Sequence, residues 1–355
     1  AISRGANKVV AVESNPVILS ILKNQFPIET DSLFFHPGVV VHNLESRTFL
    51  SLDDSNFDLI ALPLVGTFGG SAGLSALHEQ FLLTSEALRE MWLKLNPDGV
   101  VSVTSWMDYP IRNPLKILAT MVEVLEEGGI ENPRQHIAAI RSWGTITFVM
   151  KKSVLQAVEI DDIRRSCEEM MFDPAILPQL SAEERSRYNQ FQDDRFFDYV
   201  DSILAPGRNA FYEDYDFNIK PATDNKPYFS QYLKWRNLDR LAQFFGNRSI
   251  PFFEIGYLLV ILTLIQISIV SFILIFLPLF KIGWKSKSKT GVILYFSGIG
   301  LGYMFVEIVF IQRFILYFGN TVYSASAVIT SLLIFSGLGS YYSGYFLRSR
   351  SRLLG

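Results

Sequence analysis

The chain has a single cysteine, Cys167, and four histidines in 355 residues. One thiol rules out an internal disulfide framework and any zinc site built from several thiolates. A basic excess is also lacking: Lys and Arg total 32 against 35 Asp and Glu, for a formal charge of -3. Nucleic-acid binding, which leaves a basic stripe, is not expected. No signal peptide opens the chain, and Ile255 to Phe280 contains no charged residue at all. Cys167 lies in an acidic helical stretch, DDIRRSCEEMM, where a surface or half-buried thiol is expected.

What is present divides into three parts. Residues 1–152 alternate short apolar runs with helical stretches, the pattern of an α/β fold whose parallel sheet carries helices on both faces. Strands are expected at Lys8 to Glu13, Val39 to Val41, Phe57 to Leu62 and Val100 to Thr104, with closing strands at His136 to Ile140 and Thr145 to Val149. Helices are expected from Asn15-Pro16 to about Gln25, at Ser46 to Ser51, at about His78 to Leu95 and at Pro114 to Glu127. The opening AISRGANKVVAVES reads as a helix end, a turn at Gly5 and a strand, so a missing N-terminal segment of the same chain is expected before it.

Residues 153–250 are polar, acidic and aromatic, without a strand period, and form a connecting region. From 251 to 355 three apolar stretches follow, at about 255–280, 291–312 and 322–346. Crossing about 30 Å of hydrocarbon takes around 20 residues of helix, so the expectation is a C-terminal α-helical transmembrane region with the lipid bilayer as partner. Gly298 and Gly302, and likewise Ser336, Ser340 and Gly344, stand four apart and suggest a helix–helix seam. Glu307 is the one acid within a span, and Arg313, six residues on, does not share its face. Lys281, Lys285, Lys287 and Lys289 fall on the same side of three spans as Arg348, Arg350 and Arg352, which favours that side as cytoplasmic. Lys234, Arg236, Arg240 and Arg248, before the first span, pull the other way.

In Rossmann-type sheets the ligand lies beyond the carboxyl ends of the strands, and an acid there accepts hydrogen bonds from ribose hydroxyls. Glu13 closes KVVAVE in that position. GANKVVAVESNP, FDLIAL and LNPDGVVSV resemble the spermidine synthases, and the resemblance narrows to the bacterial membrane-integral spermidine synthase-like proteins. That narrower likeness rests on HEQFLLTSEALREM, PATDNKPYF and VEIVFIQRFILYFGNTVYSASAV. It implies a Rossmann-like methyltransferase or spermidine synthase-type domain, and an integral protein of a bacterial inner membrane. It also implies a nucleoside cofactor, S-adenosylmethionine or its decarboxylated form, with Glu13 on the ribose and Glu45 near the adenine amino group. An acid opening a helix, as Glu45 does, is also favoured by the macrodipole.

The chain departs from that family in two ways. The first strand and GxG loop are not in this sequence, and Gly66 stands where the family has the aspartate that receives the amine proton. Aminopropyl or methyl transfer to an unknown acceptor is therefore one expectation. A catalytically inactive nucleoside-binding or sensing module is the alternative, as is a membrane transporter or scaffold with a regulatory α/β domain. Gly69, Gly70 and Gly73 suit a flap or a plain loop. His78 and Glu79 suit an acid/base pair or capping positions, and Asp224 and Tyr228 have no assigned chemistry.

Overall fold

The computed structural model describes residues 2–65, 76–189, 195–237, 255–282 and 289–351. Two compact units emerge: Ala1–Asp54 with Ile273–Gly355, and Ser55–Phe272.

In the first unit, β1 (Val9–Val12) and β2 (Val39–His42) pair in parallel, from Val9 opposite Val39 to Val12 opposite His42. Valine predominates in both strands, and it suits a pleated, half-buried surface. Between them runs α1 (Pro16–Ser20), prolonged by a wider helical turn at Ile21–Gln25. Asn15 caps α1 by accepting from the Val17 amide at 2.9 Å, and Pro16 occupies the first turn, where its missing N–H is harmless. After β2 comes α2 (Ser46–Leu52), whose Phe49 and Leu50 are buried, with the Phe49 ring 5.0 Å from that of His42.

The second unit holds a five-stranded mixed sheet. Its strands are β3 (Phe57–Val65), β4 (Leu95–Trp106), β5 (Ile137–Arg141), β6 (Thr145–Lys151) and β7 (Asp173–Ile176), in the order β3-β4-β6-β5-β7. β3 and β4 run parallel, and the other pairings are antiparallel. The expected parallel arrangement thus holds for β1–β2 and β3–β4, while the tight Ser142-Trp143-Gly144 connection forces β5 and β6 into an antiparallel hairpin. β7 was not expected, because Asp173-Pro174-Ala175-Ile176 is buried throughout and has no alternation to reveal it. Gly99 is required where it stands: a Cβ there would lie 2.7 Å from the Phe57 carbonyl oxygen, at the bulge that Asn96-Pro97-Asp98-Gly99 makes in β4.

Packed on this sheet are α3 (Ser85–Leu93) and α4 (Asn113–Glu127), the latter buried along nearly its whole length. α5 (Ala157–Met170), α6 (Phe196–Leu204) and α7 (Arg208–Asp214) follow. α3 starts seven residues after His78 because Thr84 caps it, its hydroxyl accepting from the Ala87 amide at 3.3 Å. His78 and Glu79 therefore precede the helix instead of opening it.

Three long apolar helices close the chain: α8 (Ile255–Ile282), α9 (Lys289–Phe318) and α10 (Thr321–Ser351). Among the described residues Leu294–Phe318 and Thr321–Ser343 are long and apolar enough to cross a membrane, and Leu259–Leu274 is a shorter apolar stretch. None of the Leu294–Phe318 window is buried inside the protein, unlike the core helix of a soluble domain. α9 and α10 form a hairpin through Gly319, at φ +63, and Asn320, which caps α10 by accepting from the Val322 amide at 2.9 Å. Ile311 and Ile315 are half-buried on α9, and Ser324 and Val328 are buried on α10, each pair at helical spacing. The expected glycine seam is not formed among the described residues. A Cβ at Gly298 or Gly302 would meet nothing within 4 Å, and Ser336 and Ser340 are exposed.

Candidate functional site

Glu13 follows the last residue of β1, and Glu45 lies three residues beyond β2, so adjacent parallel strands deliver both acids to one edge. The Glu13 amide donates to the His42 carbonyl at 3.0 Å and the Asn43 side chain to the Glu13 carbonyl at 2.8 Å, tying the two strand ends together. Each carboxylate has one oxygen anchored. Glu13 Oε1 accepts from the Asn15 amide at 2.7 Å. Glu45 Oε2 accepts from the Arg47 and Thr48 amides at 2.8 and 3.0 Å, making Glu45 the N-cap of α2. Glu13 Oε2 and Glu45 Oε1 have no partner among the described residues. Both side chains are half-buried. Such an edge holds two oriented acceptors for hydroxyl or amino donors.

The second parallel pair presents another edge. β3 ends in an irregular step between Leu62 and Val65, where Leu64 takes φ 49. That left-handed conformation is uncommon for a non-glycine residue, and strain of this kind gathers at functional loops. No sequence signal announced it. The segment it leads into, with Gly66, Gly69, Gly70 and Gly73, lies outside the described residues.

Beyond β4, Asp108 is consumed structurally. It accepts from the Arg112 and Asn113 amides at 3.0 and 3.1 Å and pairs with Arg112 Nε at 3.1 Å, capping α4. Burial pushes its carboxyl above the ordinary value, against the pull of Arg112.

His78 is exposed and has no hydrogen-bond partner among the described residues, so it is not paired with Glu79. Glu79 Oε1 instead accepts from the Tyr228 hydroxyl at 3.5 Å. That contact belongs to a clamp built by PATDNKPYF. Thr84 donates to Asp224 Oδ1 at 2.8 Å, the Asp224 amide to Glu86 Oε2 at 2.9 Å, the Ser85 amide to the Ala222 carbonyl at 2.9 Å and the Gln80 amide to the Pro227 carbonyl at 2.7 Å. Farther on, Tyr232 donates to Asn113 Oδ1, and the Lys116 ammonium lies 5.4 Å from the Phe229 ring centroid and 5.2 Å from that of Tyr232. Asp224 and Tyr228 are thus fastened to the approach to α3.

Elsewhere, Cys167 is buried. Glu307 is half-buried in α9, one turn before Ile311, and has no partner among the described residues; Arg313 is exposed.

No family model matches the chain, and no curated protein sequence matches it. Among solved structures it is similar to a probable spermidine synthase from Corynebacterium glutamicum, at 18% identity and TM-score 0.31, over 44% of this chain and 52% of that one. It is also similar to the spermidine synthase from Thermotoga maritima, at 12% identity and TM-score 0.31, over 58% and 60% of the two chains. The chain thus spans 52% and 60% of the lengths of these two enzymes.

Proposed function

We propose that the chain is an integral protein of a bacterial inner membrane whose α/β part binds a sulfonium nucleoside, S-adenosylmethionine or its decarboxylated form, and transfers an aminopropyl or methyl group to an amine. The observation that carries this reading is the pair of oriented carboxylates, Glu13 and Glu45, at the carboxyl edge of β1 and β2, each with one oxygen fixed and one open. Glu13 would accept from the ribose hydroxyls and Glu45 from the adenine amino group. When bound, the sulfonium supplies an electrophilic carbon. The chain's own contribution is orientation: anchoring one oxygen per carboxylate fixes the rotamer before ligand arrives, which lowers the entropic loss on binding. Calorimetry on the full chain with S-adenosylmethionine, its decarboxylated form and methylthioadenosine tests it. Absence of binding by all three removes the reading.

Gly66 favours a second reading, a nucleoside-binding or sensing module without turnover, since glycine neither takes a proton nor attracts an ammonium ion. Turnover by the unaltered chain would exclude it, whereas turnover of putrescine gained only with Gly66→Asp would support it. The unpartnered Glu307 motivates a third, a transporter regulated by the α/β part; unchanged vesicle uptake in Glu307→Gln would leave it without support.

A further inference from the structure

The turn between α9 and α10 is seated on the helix that Glu45 caps. Gly319 stands so close to α2 that a Cβ built there would collide with the Thr48 hydroxyl and lie 3.0 Å from Glu45 Cβ and 3.3 Å from Thr48 Cβ. The Thr48 hydroxyl is itself buried at this contact without a hydrogen-bond partner. Both helices leaving the turn are long and apolar enough to span a bilayer, so the turn that joins them lies at its surface. Aromatic side chains mark that level: Tyr317 and Tyr323, 77% and 70% exposed, flank the turn together with Phe318. Tyrosine is enriched where a ring meets headgroups and its hydroxyl meets water. The Glu45 end of α2 therefore lies directly against the turn at the lipid interface.

We infer that this edge is a membrane-surface site and that the acceptor is a primary amine carried on a lipid headgroup; the inference rests on the nucleoside reading above. An amine carried on a lipid headgroup is confined to the bilayer plane, which holds it at high effective concentration beside an edge that lies at the bilayer surface. In the transfer, the amine nitrogen bonds to the carbon attached to the sulfonium sulfur. The carbon–sulfur bond breaks with its electron pair going to sulfur, a neutral thioether nucleoside leaves, and the proton lost by the amine passes to water.

The test uses the full chain in nanodiscs, with a bimane label on Leu44→Cys, beside Glu45. With headgroup-nitroxide lipid the label is expected to lose at least half its emission, and with the same nitroxide free in water far less. Radiolabel from the sulfonium nucleosides is expected in phosphatidylethanolamine and not in added putrescine. Gly319→Val, which drives a side chain into Thr48, is expected to weaken methylthioadenosine binding about tenfold, and Gly298→Val, facing open space, to leave it unchanged. An unquenched label at position 44, or label in putrescine and not in lipid, overturns the inference while leaving the nucleoside reading standing if methylthioadenosine still binds. Loss of all nucleoside binding removes that reading instead, and the acceptor assignment with it.

Discussion

Thr84 and Asp224, 140 positions apart, meet through a 2.8 Å hydrogen bond that fastens the PATDNKPYF segment to the first turn of α3. Thr84 serves twice there, since the same hydroxyl also accepts from the Ala87 amide. Removing it takes one donor from the half-buried Asp224 carboxylate and the cap from a helix amide.

Thr84→Val is therefore expected to lower the unfolding free energy of the full chain in detergent by about 1–3 kcal/mol. Asp224→Ala should lower it by a similar amount, and the double variant by less than the sum, because both lose one contact. Denaturant midpoints give the answer, and an unshifted Thr84→Val midpoint would show that the clamp is not held by this bond.

At the edge proposed to bind a nucleoside, substitutions can separate the capping of α2 by Glu45 from its proposed contact with ligand. Glu45→Gln keeps a side-chain oxygen for the Arg47 and Thr48 amides but loses the charge that orients a donor. Its stability should stay near that of the parent, while methylthioadenosine affinity falls about tenfold, equivalent to about 1.4 kcal/mol. Glu45→Ala should lose the affinity and also about 1 kcal/mol of stability with the cap. Glu13→Gln should resemble Glu45→Gln. Equal affinity in all three variants would leave both acids as local structure only.

Much of this was legible in the residues. Valine runs and Asn15-Pro16 announced β1, α1 and β2, and the apolar stretches announced three helices whose starts lie within two residues of the observed ones and whose ends run up to six residues further. Glu13 was singled out by its position at a strand end and Glu45 by the family resemblance, and both stand beyond paired parallel strands. What stayed hidden was long-range or locally ambiguous. β7 carries a proline and no alternation, and takes its place only because β5 offers an edge. The start of α3 was misjudged because its cap, Thr84, owes its setting to a partner far along the chain. The Gly298 and Gly302 spacing suggested a contact, but spacing says nothing about which helix face meets a neighbour. That face was set by the Gly319 turn.

The acid side of the stability profile should carry a signature of Asp201. Burial pushes its carboxyl up, but the hydrogen bond from Arg185 and the charges of Arg185 and Arg134 outweigh it, holding the group below its ordinary 3.8. A carboxyl lowered by folding contributes stability that is present above the ordinary value and lost as pH falls through the folded one. Asp201→Asn should therefore flatten the loss of stability below about pH 4 and destabilise at neutral pH. A denaturant series from pH 6 to pH 2 measures it, and parallel curves for the two proteins would contradict the assignment.

Cys167 supplies an internal clock for unfolding. Burial, with the negative charges of Asp173 and Glu168 behind it, pushes the thiol from 9.0 up to about 11. At pH 8 that shift alone lowers the reactive thiolate fraction about a hundredfold, and the side chain is 2% exposed besides. The native chain should resist maleimide, then label at a rate set by opening of the region where α5 meets β7. Asp173→Asn makes the test sharper. It removes a charge that disfavours the thiolate, but also the buried partner of Arg141, 3.0 Å away, and an acceptor for the Tyr188 and Asn189 amides. Taking the counter-charge from this buried guanidinium, which also donates to the Arg185 and Asn189 carbonyls, costs about 3–5 kcal/mol. Labelling should therefore accelerate far beyond what the charge change allows and should track unfolding across denaturant. Fast labelling of the unaltered protein under native conditions would place Cys167 at the surface and contradict the packing of α5 on the sheet.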